Sequence, residues 1–252
     1  MEVLRGIRNS VAFLTIIPVG MDNDGLAIVA QFMPIFPLVG ALTGLIGGTF
    51  TRAMELIFTP QLSGTLGLGL ILLLNGAQHV DGLLDFGDGI MCHGSRSRKL
   101  RVMRDQQTGA GGFTLGIIVV IATIFTIASL NRNIIIEAFV VSESASNFSM
   151  VVQAWMGRSA HRGMASQFIG SMQLKHRNAK IALSTVFLLL ISVALLNLTG
   201  LLVTFAALGV STVILVISNR AFGGITGDVM GATNEITRLV SLLLIPVGLA
   251  WL

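Results

Sequence analysis

The sequence is poor in charged residues and in cysteine, and each scarcity excludes a class of protein. Only 11% of its 252 residues are charged, whereas 53% are hydrophobic and the mean hydropathy is +0.84. Because a soluble domain carries about 25% charged residues, this composition indicates an integral membrane protein. The single cysteine, Cys92, excludes an internal disulfide bond. No run of Lys and Arg is interleaved with aromatic residues, so we expect no nucleic-acid partner and a lipid bilayer instead.

Long apolar stretches dominate the chain. About 20 apolar residues cross the hydrocarbon core of a bilayer, and seven stretches of suitable length can be placed. They are residues 34–57, 61–79, 113–130, 134–156, 180–198, 200–218 and 236–252. The sequence therefore predicts an all-α fold class, a polytopic integral membrane helix bundle of about seven transmembrane helices. No Pro/Ser-rich linker divides the chain, so we expect residues 1–252 to form a single membrane-embedded catalytic domain.

The basic residues predict the orientation of these helices. If the N-terminus is cytoplasmic, the loops left inside are 80–112, 157–179 and 219–235, and these hold most of the Lys and Arg. The positive-inside rule therefore favours a cytoplasmic N-terminus. The polar loops then share one face of the membrane.

The stretch 134–156 is the weakest candidate span, because Glu137, Glu143 and several smaller polar residues interrupt it. A carboxylate at the bilayer centre costs roughly 3 kcal/mol on the insertion scale. We therefore expect the polar side of this helix to face inward. There it is either satisfied by neighbouring helices or lines the path of a substrate.

Three aspartates, Asp81, Asp85 and Asp88, occur within eight residues of this apolar chain. Their i, i+4, i+7 spacing places all three on one face of a helix. Like charges so close repel one another, and a divalent cation such as Mg²⁺ or Mn²⁺ turns that repulsion into attraction. Cations held in this way usually meet a phosphate or diphosphate. The alternative is an acidic, solvated helix end, against which the neighbouring glycines count because they weaken a helix.

A second polar segment, 223–235, also places carboxylates among glycines. Asp228 and Glu235 lie at i and i+7, on one face if the segment is helical. Alone, the segment is also compatible with tight helix packing and an Asp N-cap. Two such segments on one face of the membrane favour a shared active site.

The basic segment 95–105 lies between them in the chain. Arg98 and Arg101 suit either an amphipathic helix on the membrane surface or the binding of phosphate oxygens. Asp105 is either a fourth metal ligand or a partner of Arg101.

Together these motifs resemble the adenosylcobinamide-GDP ribazoletransferases, often called cobalamin synthases. The matching blocks are Phe13-Leu14-Thr15-x-x-Pro18, Phe36-Pro37-Leu38-Val39-Gly40, His79-x-Asp81-Gly82-Leu83-x-Asp85-x-x-Asp88-Gly89, Arg98-x-x-Arg101-x-Met103-x-Asp105-x-x-x-Gly109 and Gly223-Gly224-x-Thr226-Gly227-Asp228-x-x-Gly231-Ala232-x-x-Glu235. They cover nearly the whole chain. Two positions depart from the family pattern: Gln106-Gln107 replace Ser-Arg, and Arg238 replaces an acid.

The resemblance implies a reaction. The adenosylcobinamide phosphoryl group passes from its GDP ester, adenosylcobinamide-GDP, to the 5′ oxygen of α-ribazole or α-ribazole 5′-phosphate, and GMP is released. The family requires Mg²⁺ and lies in the cytoplasmic membrane, so we expect an active site that faces the cytoplasm. Glycine-rich spans would also permit a homo-oligomer.

The expected site residues follow from the motifs and the resemblance together. The expected metal ligands are Asp81, Asp85, Asp88, Asp228 and Glu235. The expected catalytic residues are Asp88, as acceptor of the proton of the attacking hydroxyl, with Asp85 and Asp81. The expected substrate-binding residues are Arg98, Arg101, Asp105, Gly227, Asn234 and His79, although a lone histidine at a helix end is more often a hydrogen-bonded bystander.

Two other function classes remain open. A CDP-alcohol phosphotransferase also uses spaced aspartates and a metal, but Cys92-His93 stand here where its signature has Ala-Arg. An ion-coupled transporter would place acids at membrane depth and show repeat symmetry between its halves. No such symmetry is visible in the sequence.

Overall fold

The computed structural model describes residues 2–251, and these residues fold almost entirely into helices. The eleven α-helices of the described part are α1 (Glu2–Leu14), α2 (Gly25–Phe32), α3 (Phe36–Met54), α4 (Pro60–Leu74), α5 (Gln78–Met91), α6 (Arg96–Val102), α7 (Ala110–Ser129), α8 (Ile135–Met156), α9 (Met164–Gln173), α10 (Arg177–Ala221) and α11 (Gly227–Trp251). Short 3₁₀ helices, Met33–Ile35 and Arg132–Ile134, precede α3 and α8. The predicted all-α class is confirmed.

Within residues 2–251, five helices are long and apolar enough to cross a membrane, or six if the bent pair α4–α5 counts as one span. They are 25–54, α7, 132–156, α10 and α11. The chain is therefore a polytopic membrane helix bundle, as predicted. The number of about seven spans and the cytoplasmic N-terminus stay predictions.

The longest helix, α10, reverses direction at Asn197, whose φ of 51° and ψ of −129° are not helical. The hydroxyl groups of Ser192 and Thr204 lie 3.2 Å apart across this turn, whereas twelve residues of continuous helix span about 18 Å. Gly200 permits the reversal, since a Cβ there would overlap the backbone of Ser192. The two halves, 177–196 and 198–221, correspond to two of the predicted spans.

The predicted span 61–79 is interrupted in the structure. Helix α4 ends at Leu74, and α5 leaves it at an angle of 93°. Gly76 (φ 60°) and Ala77 (φ 57°) make the turn between them. The helix that carries the three aspartates therefore does not continue the direction of the preceding span.

Helix α8 is the most deeply buried element, with nearly every residue from Ala138 to Ala154 inaccessible. It packs closely on α3, because a Cβ added to Gly44 would lie 2.5 Å from the carbonyl oxygen of Phe139. Small residues permit such close approach of membrane helices. The expectation that its polar side faces inward is confirmed, and Glu143 pairs there with Arg238 of α11.

Three loops meet at one end of the bundle. An isolated parallel bridge joins Ser159 to Ile225, with backbone hydrogen bonds of 2.8 and 3.0 Å. The Nε of Arg158 donates to the carbonyl of Gly223 at 3.0 Å, and Arg96 reaches the carbonyl of Arg220 at 3.3 Å. The segments 80–112, 157–179 and 219–235, predicted to share a face, are therefore together.

A carboxylate-lined cavity as candidate active site

Helices α5 and α11 touch backbone to backbone where their acidic residues lie. A Cβ added to Gly82 would lie 2.9 Å from both Cα and the carbonyl oxygen of Asp228. One turn further along α11, a Cβ on Gly231 would lie 3.0 Å from the carbonyl oxygen of His79. Only glycine allows this approach, so the glycines of both motifs bring the acids of α5 up to Asp228.

The acids that meet here form a cluster of like charge. The negative charges that act on Asp85 come from Asp228, Asp81 and Asp88. Within residues 2–251, the carboxylates of Asp81 and Asp85 have no hydrogen-bond or ion-pair partner. Asp228 accepts a hydrogen bond from the hydroxyl of Thr226 at 3.1 Å. The structure thus brings together three of the predicted ligands, Asp81, Asp85 and Asp228.

A cavity of about 220 Å³ opens beside this cluster. Its polar side is formed by the starts of α5 and α11, and its apolar side by α1, α3, α8 and α9. The lining residues are Phe13, Leu14, Met33, Phe36, Gln78, His79, Asp81, Met150, Met164, Ala165, Phe168, Gly227, Asp228, Met230 and Gly231. Of the residues predicted to bind substrate, His79 and Gly227 lie at this cavity.

Asp88 has a different partner from the one predicted. One of its oxygens accepts the backbone N–H of Gly109 at 2.7 Å, and the other accepts that of Gly112 at 2.8 Å. These donors are at the start of α7, where a carboxylate satisfies free N–H groups and the helix dipole. The i, i+7 spacing describes only the face of α5 on which Asp88 lies. The partners of Asp88 are backbone groups at the start of α7, more than twenty residues away, and the spacing does not predict them. Both oxygens of Asp88 are therefore bonded to α7 in this structure, and its roles as metal ligand and proton acceptor stay predictions.

Glu235 and Asn234 are not brought to the cluster either. Glu235 pairs with Arg238 inside the bundle, about 10 Å further along the helix than Asp228 at 1.5 Å per residue. The side-chain amide of Asn234 donates to Asn147 of α8 at 2.8 Å. Both residues are almost fully buried and lie away from the acidic cluster. Their expected roles as metal ligand and substrate contact stay predictions.

The basic helix α6 lies beside the site without entering it. Lys99 donates to the carbonyls of Gly89 and Ile90 at the end of α5, at 3.3 and 3.1 Å. Arg98 and Arg101 are exposed, and their side chains make no hydrogen bond or ion pair within the part of the chain that is described. Asp105 accepts a hydrogen bond from the backbone of Gln107 at 3.1 Å. It is therefore not paired with Arg101 in this structure.

Two cationic or ionisable side chains that the sequence did not single out stand near the cluster. Arg104 and His161 both act electrostatically on Asp228, in the direction that favours its ionised form. Arg104 lies one turn beyond Arg101, so its basic segment was visible in the sequence. No sequence signal pointed to His161, because the bridge between Ser159 and Ile225 is what carries its loop to the start of α11.

The cluster fits a divalent cation by its chemistry. Among residues 2–251, no group of three or more His, Cys, Asp or Glu side chains is arranged to hold a metal ion by itself. Magnesium, however, is usually bound by one or two carboxylates together with waters and substrate phosphates. The carboxylates of Asp81 and Asp85, which have no partner among the described residues, and that of Asp228 could supply such a pair of ligands.

The fold and the site together define a polytopic membrane protein with an acidic, cavity-forming site at one end of its helices. The family model described as cobalamin-5-phosphate synthase matches residues 6–246. The chain belongs to this family.

Curated relatives agree over nearly the full length. A protein from Methanocella arvoryzae is 32% identical over 96% of this chain and 95% of its own. One from Halorubrum lacusprofundi is 30% identical, with 95% and 96% covered, and one from Thermoanaerobacter sp. is 28% identical, with 96% and 97% covered. All three are named adenosylcobinamide-GDP ribazoletransferase. No solved structure matches the chain.

Proposed function

We propose that the chain joins adenosylcobinamide-GDP to α-ribazole, or to α-ribazole 5′-phosphate, at the cavity between α5 and α11. Because the 5′ oxygen of α-ribazole 5′-phosphate is already esterified, the nucleophile common to both acceptors is a free ribose hydroxyl. This hydroxyl loses its proton as its oxygen bonds to the phosphorus that carries adenosylcobinamide. The bond from that phosphorus to the bridging oxygen of the diphosphate breaks, and GMP leaves. The observation that carries this proposal is the contact of Gly82 with Asp228, which gathers unpaired carboxylates beside a cavity.

The carboxylates are assigned different roles according to their positions. Asp85 and Asp228 would hold Mg²⁺. Magnesium bound there would neutralise charge on the diphosphate and on the departing GMP. Asp81 is exposed, lines the cavity and has no partner among the described residues, so it is placed to accept the proton of the attacking hydroxyl.

The phosphate groups require positive charge as well. Arg104 and His161, whose charges act on Asp228, would bind phosphate oxygens of the GDP ester. The side chains of Arg98 and Arg101 on α6 are exposed and have no partner among the described residues. They would bind the GMP part of the donor. A diphosphate bound between these side chains and the carboxylates would be oriented for displacement.

We further propose that the chain is a single catalytic domain in the cytoplasmic membrane with this site facing the cytoplasm. The basic loops 80–112 and 157–179 lie at the end of the bundle that carries the cavity. The cavity is lined from Phe13 at one end of the sequence to Gly231 at the other. A site built from both ends of the chain favours one domain.

The test is the release of GMP by purified protein in detergent or liposomes, supplied with adenosylcobinamide-GDP, α-ribazole and Mg²⁺. We expect Asp85→Asn to lower turnover at least 100-fold, and a chelator to abolish wild-type turnover until Mg²⁺ is restored. The matched control is Asp24→Asn, the same change at an exposed carboxylate outside the site that pairs with Arg5. Failure of the wild type to release GMP would overturn the proposed function. Near-normal turnover of Asp85→Asn would remove that residue from it.

A further inference from the structure

The cavity beside the carboxylates has a strongly apolar wall. The ring of Phe168 lies 5.3 Å from that of Phe13, centroid to centroid, and 6.2 Å from that of Phe36 in an edge-to-face arrangement. Met33 and Met150 add buried, polarisable side chains to the same wall. Aromatic rings and thioethers of this kind make favourable contacts with the faces and edges of another aromatic ring.

The volume restricts what the cavity can hold. Its volume of about 220 Å³ lies below the range of about 300–1,000 Å³ typical of sites that enclose a drug-sized ligand. A corrinoid is far larger than this cavity. A fused bicyclic ring is of the right order. A guanine ring would bring several hydrogen-bonding groups to walls made mostly of Phe, Met, Leu and Ala, where unpaired polar groups are costly.

The polar side of the cavity fixes which end of a ligand lies where. Asp81 and Asp228 stand on this side, so a sugar joined to a ring in the apolar part would place its hydroxyl groups at the carboxylates. His79 lines the cavity too and is only 8% exposed. Its Nδ1 has no hydrogen-bond partner in the described part of the chain. A buried, unpartnered ring nitrogen requires a partner.

We propose that this cavity binds the aromatic base of the acceptor nucleoside, with its ribose directed to Asp81 and Asp228 and its free ring nitrogen paired with His79. The proposal rests on the proposed function and names the part of the acceptor that the cavity selects. The benzimidazole base of ribazole is a flat, largely apolar bicycle with one unsubstituted ring nitrogen. That nitrogen is an acceptor, and the Nδ1 of neutral His79 can donate to it. The corrinoid and the guanine of the donor remain outside this cavity.

Two variants test the base-binding cavity against a matched control on the same helix. Ala165→Leu fills the cavity from α9, where Ala165 is buried. Met164→Ala removes a wall contact at a position that is 53% exposed, so its folding is not endangered. Gly170→Ala is the control, because its added Cβ would meet nothing within 4 Å. GMP release is measured at varied acceptor with saturating donor, and then at varied donor with saturating acceptor.

We expect Ala165→Leu to raise the KM for α-ribazole at least tenfold, while the KM for adenosylcobinamide-GDP changes less than twofold. Met164→Ala should raise the acceptor KM three- to tenfold, and Gly170→Ala should leave both constants unchanged. The wild type should also prefer α-ribazole over an analogue without the ring methyl groups by about tenfold, since apolar pockets discriminate single methylenes by 10-fold or more.

Unchanged acceptor KM in both cavity variants would overturn the proposal and leave the cavity to a lipid chain or another apolar ligand. A rise in the donor KM instead would overturn it in favour of the nucleotide or corrinoid. Should Ala165→Leu fail to insert, the Met164→Ala result decides alone. These outcomes are distinct from failure of the proposed function, which is absence of GMP release by the wild type.

Discussion

Gly82 is the position at which one added methyl group tests the arrangement of α5 and α11. In Gly82→Ala, the new Cβ would lie 2.9 Å from Cα and the carbonyl oxygen of Asp228, and both are backbone atoms that cannot rotate away. The two helices must separate by a few tenths of an ångström or more. Overpacking of this kind costs about 1–3 kcal/mol, partly offset by about 0.5–1 kcal/mol from replacing a helical glycine. The folded protein should therefore survive.

Catalysis should suffer more than stability, because the separation moves Asp81 and Asp85 away from Asp228. A misplacement of about 1 Å can cost about 100-fold in rate, so we expect kcat for GMP release to fall between 10- and 100-fold. The assay is GMP release by protein whose thermal unfolding has been followed in parallel. The control is Gly69→Ala in α4, where the added Cβ meets nothing within 4 Å. Gly82→Ala with the turnover of the control would refute the view that this contact assembles the site.

Three further predictions follow from the contacts described. Arg238→Leu leaves two buried carboxylates without a counter-charge and should destabilise the protein by about 3–5 kcal/mol in denaturant unfolding; an unchanged midpoint would contradict this. Asp88→Asn should lower stability by about 0.5–2 kcal/mol through weaker capping of α7 while kcat stays within fivefold of wild type, whereas a 100-fold loss would restore Asp88 as a catalytic group. Hydrogen bonds from Asn9, foremost, and then from the arginines of α1 hold the pKa of Asp22 well below its ordinary value. Because the folded pKa is the lower one, this stabilisation is present above about pH 4 and is lost as the pH falls. Asp22→Asn should therefore unfold at a lower temperature than wild type at pH 7, and the difference should narrow progressively as the pH falls below about 4; a difference that does not change with pH would contradict this.

The fold was largely predictable because length and hydropathy determine where a chain can cross a bilayer. The reversal within α10 falls close to the predicted boundary between 180–198 and 200–218. The break after Leu74 was missed, since Ala77 adopts a left-handed conformation that its residue type does not announce. Apolar composition continues through this turn, and composition alone does not reveal a change of direction.

The sequence predicted which acids meet in the candidate site, but not the partners of the acids around them. The meeting of Asp81 and Asp85 with Asp228 followed from two acidic, glycine-rich motifs on one face of the membrane. Helical periodicity places a carboxylate on a face of its own helix, but which group of another helix it meets depends on long-range packing. For this reason the sequence did not predict that Asp88 accepts hydrogen bonds from the backbone of α7, or that Glu235 pairs with Arg238. The apolar wall of the cavity carries no motif, since Phe and Met are ordinary in a membrane span.

The buried charges of α8 and α11 explain how the site keeps its register. Arg238 binds Glu143 across the helix interface and Glu235 on its own helix, and Asn234 adds a hydrogen bond to Asn147. Apolar packing between helices permits sliding by small steps, whereas a directional ion pair in a low-dielectric interior has one favourable alignment. A displacement of α11 that moved Asp228 along Gly82 would break these bonds and leave charge unpaired. The acids buried in the bundle thus differ from those at the cavity: the former fix the position of α11, whereas Asp81 and Asp85 have no partner among the described residues and are available for the proposed chemistry.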